Sequence, residues 1–127
     1  LLNQAMKKAV ARLKGYHFTP IKKTSMSAVR DFPDESLDFV YIDGNHSFKF
    51  VTEDIFEWSK KVKKGGVIAG HDYVYMANRD QHHVHTRYVV DAYTRAFAIP
   101  NWYVIGRKEK IKGEKRDSYR SWFWIKS

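Results

Sequence analysis

The stretch LDFVYID, Leu37 to Asp43, constrains this chain more than any other. Its near-continuous apolar character suits a strand covered on both faces, the central parallel strand of an α/β sheet. The preceding FPDESL is a turn by its Pro-Asp and acidic content. After Asp43, GNHS breaks the run, and Val51, Ile55, Trp58 and Val62 follow at spacings of four, three and four, the signature of a helix with one buried stripe. Ser47 is placed to cap that helix, and Glu53 and Asp54 fall in its early turns, near the positive end of the dipole. KKGG closes the helix, and GVIAGHDY opens a second apolar strand ending at His71-Asp72. Strand, helix and strand in roughly 35 residues make a βαβ unit, whose crossover is right-handed in ~98% of cases.

The flanks read less uniformly. Asn3 to Leu13 has a helical stripe of Ala5, Met6, Ala9, Val10 and Leu13, with Gly15 as a stop. FTPIKKTS, Phe18 to Ser25, suits a strand that holds Pro20 at its edge or start. YMANRDQHHVH is a polar loop; beyond it Thr86 is a candidate cap for a helix marked by Val89, Tyr93, Ala96 and Phe97 and ended by Pro100. NWYVIG and SYRSWFWIK are aromatic and β-branched and read as a terminal antiparallel hairpin, with Trp102, Trp122 and Trp124 building core.

At 127 residues and 43% hydrophobic content the chain has one domain's length and enough apolar material for one core. It has no cysteine, so a disulfide framework and a thiolate metal site are excluded. No apolar run approaches the ~18 residues of a membrane span and no signal-peptide pattern opens the chain, so a soluble, cytoplasmic protein is expected. The net charge of +9 favours acidic partners. Its basic clusters, Lys60 to Lys64 and Gly106 to Arg116, lack the aromatic interleaving or recognition motif of a nucleic-acid binder, and a nucleic-acid partner is not expected. They do leave a second reading open: a non-catalytic basic module, or remnant, binding an anionic partner through those two segments.

Ligands of open parallel sheets bind outside the carboxyl ends of the strands, where helix N-termini point. Asp43 and Asp72 both stand at that end. On neighbouring strands, ~4.8 Å apart, they face one another across a gap fit for a hard divalent ion such as Mg²⁺, Ca²⁺ or Mn²⁺. His46 lies on the same rim, and an imidazole titrating near physiological pH can take a proton from a hydroxyl. The plainer alternative keeps comparable weight: Asp43 caps a turn with Gly44, His46 bonds a backbone carbonyl, and Asp72 caps the next loop. Tyr73 and Tyr75 are placed to meet an acceptor or to cover the sheet edge. His82, His83 and His85 contain a His-x-His pair able to bind Zn²⁺ or Ni²⁺, but an exposed polar loop is the simpler reading.

Residues Asp34 to Tyr73, with their IDG-x-H … GG-x-I-x-G-H-D-Y pattern, resemble class I S-adenosylmethionine-dependent methyltransferases, especially bacterial O-methyltransferase-like members. The resemblance implies an α/β, Rossmann-like three-layer sandwich, a mostly parallel sheet with a C-terminal antiparallel hairpin, in which Leu37 to Asp43 is the fourth strand and Val67 to His71 the fifth. It implies S-adenosylmethionine as cofactor, with Ser25 and Met26 lining the adenine pocket. It implies Asp43 and Asp72 as ligands of a Mg²⁺-like cation, although His71 stands where that family has another carboxylate. It implies His46 as the base, with Asp43 and Asp72 orienting the acceptor and His71 and Tyr73 on the substrate side. The expected activity is methyl transfer to a small-molecule or sugar hydroxyl. The family's first strand, its G-x-G-x-G loop and the acidic end of its second strand have no counterpart before Ser25. Residues 1–127 are therefore expected to be a single partial domain with its N-terminal strands missing. The opening LLNQAMKK, without an initiator Met, favours residues upstream of Leu1 over a truncated relative. Open strand edges can pair between copies, so a homodimer is also an expectation.

Overall fold

The computed structural model describes residues 2–77 and 83–127. His82 lies outside the described residues. Helix α1 spans Leu2–Arg12; a short helix α2, Ser25–Ala28, runs into a 3-10 turn at Val29–Asp31. Strand β1 is Leu37–Ile42, α3 Phe48–Lys61, β2 Val62–Gly70, α4 Thr86–Ala96, β3 Trp102–Ile105 and β4 Ser121–Ile125. The sheet order is β1-β2-β4-β3. β1 and β2 are parallel, and β4 is antiparallel to both β2 and β3. The expected βαβ unit and terminal hairpin are thus present, in a sheet that is parallel at its start and antiparallel over the rest.

Period explains which residues form the core. Along the strands, Val40, Ile42, Ile68, Trp122 and Trp124 share the face that receives Val51 and Ile55 of α3 and Val89 and Val90 of α4. The alternate positions form the opposite face, where Phe39 is 55% and Tyr41 45% exposed and Tyr103, Ile105 and Ile125 are also open. Among the described residues the architecture is therefore two layers, helices on one side of the sheet, rather than three. This corrects the reading of β1 as central and covered on both faces. Among the described strands it lies at the edge, and its apolar run is half core and half open surface.

Two other expectations change. Residues 18–24 form no strand, because no described segment offers them a ladder and Pro20 lacks a donor. The apolar stripe of α1 is largely exposed, with only Met6 partly covered. Val62 ends α3 and starts β2 at once, with extended dihedrals of −80° and 136°. The register then slips between Leu37 and Phe39, which pair with Val62 and Val67, so Lys63 to Gly66 bulge out of the ladder. Gly66 is required there: a Cβ would fall 2.6 Å from Val62 Cγ1 and 2.8 Å from the Asp38 carbonyl.

The lysines at the end of α3 and just beyond it are mostly engaged. Lys60 lies 2.9 Å from Glu57, Lys61 2.6 Å from Asp34 and Lys63 2.9 Å from Asp38. No helix among the described residues is long and apolar enough to cross a membrane.

Candidate active site

The parallel pairing brings the two sequence halves together. Ile42 pairs with Gly70, so Asp43 and His71-Asp72 leave the sheet side by side, and the His71 N–H donates to the Ile42 carbonyl at 3.0 Å. His46 stands between the acids: its Nε2 lies 2.9 Å from Asp72 Oδ2 and 3.7 Å from Asp43 Oδ1. Asp72 is shared, since its Oδ1 lies 2.7 Å from His71 Nδ1. The site is polar but not sealed: His46, His71 and Asp72 are partly buried, while Asp43 is exposed.

The backbone at Asp72 is strained to achieve this. Its φ of +53° is left-handed, a conformation an aspartate tolerates better than most residues but still at a cost of about 1 kcal/mol or more. A 2.6 Å bond from the Val74 N–H to the Asp72 carbonyl closes the turn. Behind it, Trp122 Nε1 donates to the His71 carbonyl at 3.2 Å, and the Tyr73 N–H to the Arg120 carbonyl at 2.9 Å. The hairpin therefore fixes the second half of the site.

His46 is fixed from another direction. Ser47 occupies the cap position of α3, as expected, but its side chain makes no cap bond; its hydroxyl donates to Asn45 Oδ1 at 2.9 Å. The free helical donor at Phe48 goes instead to His85 Nδ1 at 2.9 Å, and the His85 N–H donates to the His46 carbonyl at 2.9 Å. His85, which also takes the α4 cap position assigned to Thr86, thus clasps both sides of Ser47. Sequence reasoning missed this because the contact spans 37 residues; the only signal was a histidine just before a helix start. His85→Ala should lower stability by about 0.5–2 kcal/mol, as loss of a helix cap does, with His85→Asn recovering part of it in urea midpoints. Equal midpoints for all three proteins would remove the cap role.

Asp43, His46 and Asp72 each present a ligand atom within 4.8 Å of the others, an O, N, O set whose spacing and hardness fit a divalent cation. Tyr73 is committed elsewhere: its hydroxyl donates to Asp91 Oδ1 at 2.6 Å and its ring packs against Trp102 and the core. Burial and the Asp91 carboxylate push its pKa up to about 12. The structure does not bring it to the site, nor Tyr75, whose ring packs at a tilt against Tyr88 and His85.

Ser25 and Met26 part company. Met26 lines a shallow cleft with Val29, Arg30 and Phe56. Ser25 lines a cavity of about 320 Å³ along the open edge of β1, with Ile42, Asp43, Gly44, Asp54 and Trp58. Its hydroxyl donates to Asp54 Oδ1 and accepts from Trp58 Nε1 at 2.8 Å. Asp54 is buried, and desolvation raises its pKa, against the Ser25 hydrogen bond and with the nearby Glu53. A raised folded-state pKa favours the neutral form, so this contribution to stability is held at acid pH and lost as pH rises through that pKa. Asp54→Asn, which keeps an acceptor for Ser25, should therefore melt a few degrees (~2–4 °C) above the parent at pH 7, and the gap should shrink towards pH 4. A gap independent of pH would contradict the assignment.

A family model described as a methyltransferase domain matches residues 3–73. No curated protein matches the chain. The matched stretch covers more than half of the 127 residues and carries β1, α3 and β2 through both halves of the Asp43–His46–Asp72 cluster. On that match the chain belongs to the methyltransferase domain family, in agreement with its resemblance to the class I S-adenosylmethionine-dependent enzymes.

Proposed function

We propose that this chain carries the acceptor-activating side of an O-methyltransferase site that acts on the hydroxyl of a small molecule or sugar. The observation that carries this reading is the placement of His46 Nε2 between two carboxylates at the carboxyl ends of paired parallel strands. His46 is the proton acceptor through Nδ1, because Nε2, 2.9 Å from Asp72, carries the ring hydrogen. Asp72, and Asp43 beyond it, offset the positive charge that proton uptake creates on the ring. His85 holds the turn that presents the imidazole, and Trp122 holds the backbone that presents Asp72. With the acceptor aligned, what remains for the protein is positioning for an in-line displacement.

S-adenosylmethionine is the family's usual methyl donor, and when bound it supplies a methyl group made electrophilic by a positively charged sulfur. The β1-edge cavity, with the Ser25–Asp54 pair beside apolar Val40 and Ile42 and adjoining Asp43, is the part of this chain that fits one side of such a donor. A divalent cation held by Asp43 and Asp72 would add polarisation of the acceptor hydroxyl. The reading of a basic module with a polyanionic partner is weakened at Lys60 to Lys64, where three lysines already face acids.

The test is a thermal melt with S-adenosylmethionine. At about 100 times Kd the donor should add ~2.7 kcal/mol of stability, a shift of several degrees, while methionine should add none. No shift at millimolar donor would count against the reading.

A further inference from the structure

The loop joining β3 to β4 does more than close a hairpin. It rises beside the carboxyl ends of β1 and β2, and together with them lines a cavity of about 510 Å³ whose wall holds Asp43 and His71 as well as Lys115 and Arg120. That is the size range of sites for small-molecule ligands. From Gly106 to Arg120 the chain holds seven Lys or Arg against three Asp or Glu.

The acids in this wall are already engaged. Glu114 Oε1 lies 2.7 Å from Arg116 Nε, and its Oε2 accepts the Ile111 N–H at 3.1 Å; these contacts hold its carboxyl below the usual range. Asp117 Oδ1 accepts the Ser118 N–H at 2.9 Å. Arg116 and Lys110 are spent in shaping the loop, on the Arg107 carbonyl at 2.9 Å and the Arg116 carbonyl at 2.7 Å. Lys115 and Arg120 remain on the lining with no carboxylate partner among the described residues; the Arg120 guanidinium sits 5.6 Å from the Tyr73 ring centre.

We propose that this cavity is the acceptor site and selects a hydroxylated small molecule that carries an anionic group, a phosphate or a carboxylate, to be met by Lys115 and Arg120. Resting on the methyl-transfer reading above, this sets the acceptor's hydroxyl towards Asp43 and its charge on Lys115 and Arg120, all of them on the cavity wall. Charge sorts the acceptor: an anion beside Asp43 meets a like charge, while at Lys115 and Arg120 it meets two cations without a carboxylate partner among the described residues, so one orientation is favoured. A concave site of this size also suits a small anion better than a polymer, whose phosphates would engage the outer residues Arg107, Lys108 and Lys112.

The experiment titrates the protein with glucose 6-phosphate, glucuronate, inorganic phosphate and glucose, following backbone amide resonances of Tyr41 and residues 106–121 without any methyl donor. Saturable shifts at Tyr41, Lys115 and Ser121 are expected with the anions and none with glucose, and the tighter of the sugar phosphate and the uronate identifies the anionic group. A Lys115→Gln/Arg120→Gln double variant should bind glucose 6-phosphate at least tenfold more weakly, whereas Lys112→Gln, outside the lining, should not. Glucose binding as tightly as its phosphate, an unchanged double variant, or shifts confined to Arg107 and Lys108 would each overturn the proposal. Because no donor is present, absent methyl transfer leaves this result readable. A transfer-active protein that prefers neutral acceptors would defeat the proposal and leave the methyl-transfer reading standing.

Discussion

His46→Ala should lower methyl transfer by about 10²–10⁴-fold while leaving donor affinity unchanged. The expectation follows from position. His46 alone faces both carboxylates, with 2.9 Å to Asp72 and 3.7 Å to Asp43, so the charge it gains with the acceptor's proton is offset by two acids, whereas His71 has Asp72 alone. Asp72→Asn should fall between the two proteins, because it keeps the shape of the turn and an oxygen near Nε2 but removes the charge. Rates measured at saturating donor and acceptor separate this from a binding defect, since loss of the proton acceptor acts on kcat rather than on KM. If His46→Ala kept the parent's kcat, the base would lie elsewhere.

The largest expected effect on stability is at Trp122. Its side chain is fully buried (0% exposed), stacks on Trp124 and donates to the His71 carbonyl. Trp122→Ala should cost about 3–5 kcal/mol, a large part of the 5–15 kcal/mol that holds a domain of this size together. Denaturant melts should show a much lower midpoint or no cooperative transition. Gly70→Ala probes the same contact from the other side: a Cβ there would stand 2.3 Å from Trp122 Cζ2 and 2.8 Å from the Ile42 carbonyl. Overpacking of that kind costs about 1–3 kcal/mol or more. The two substitutions share one space, so the double variant should be less damaged than the sum of the singles. Strict additivity would mean that Trp122 and Gly70 do not pack as described.

Periodicity made the βαβ unit and the hairpin legible, because Val51, Ile55 and Trp58 repeat with the helix and the tryptophans of β4 alternate with the strand. The juxtaposition of Asp43, His46 and Asp72 followed from that topology alone. What the sequence hid depends on partners distant along the chain. The reading of β1 as covered on both faces went beyond what a run such as FVYI can say, and among the described residues Phe39 and Tyr41 are open. A strand at residues 18–24 needed a neighbour to bond with, and none is described. Tyr73 looked like a substrate contact until Asp91, on another helix, claimed its hydroxyl. His85 looked like loop polarity until its ring met the α3 N-terminus. The left-handed φ of Asp72 left no trace in composition, since aspartate is common in turns of every kind.

The central claim is that this chain activates an acceptor hydroxyl through His46 for a family methyl donor. Its most direct test is mass-spectrometric detection of methyl transfer from deuteromethyl S-adenosylmethionine to a panel of hydroxylated acceptors, run with the parent protein, His46→Ala and His83→Ala. The account predicts a methyl ether and equimolar S-adenosylhomocysteine from the parent and from His83→Ala, with at least a hundredfold less from His46→Ala. Label on nitrogen or carbon instead of oxygen, or equal product from all three proteins, would contradict it.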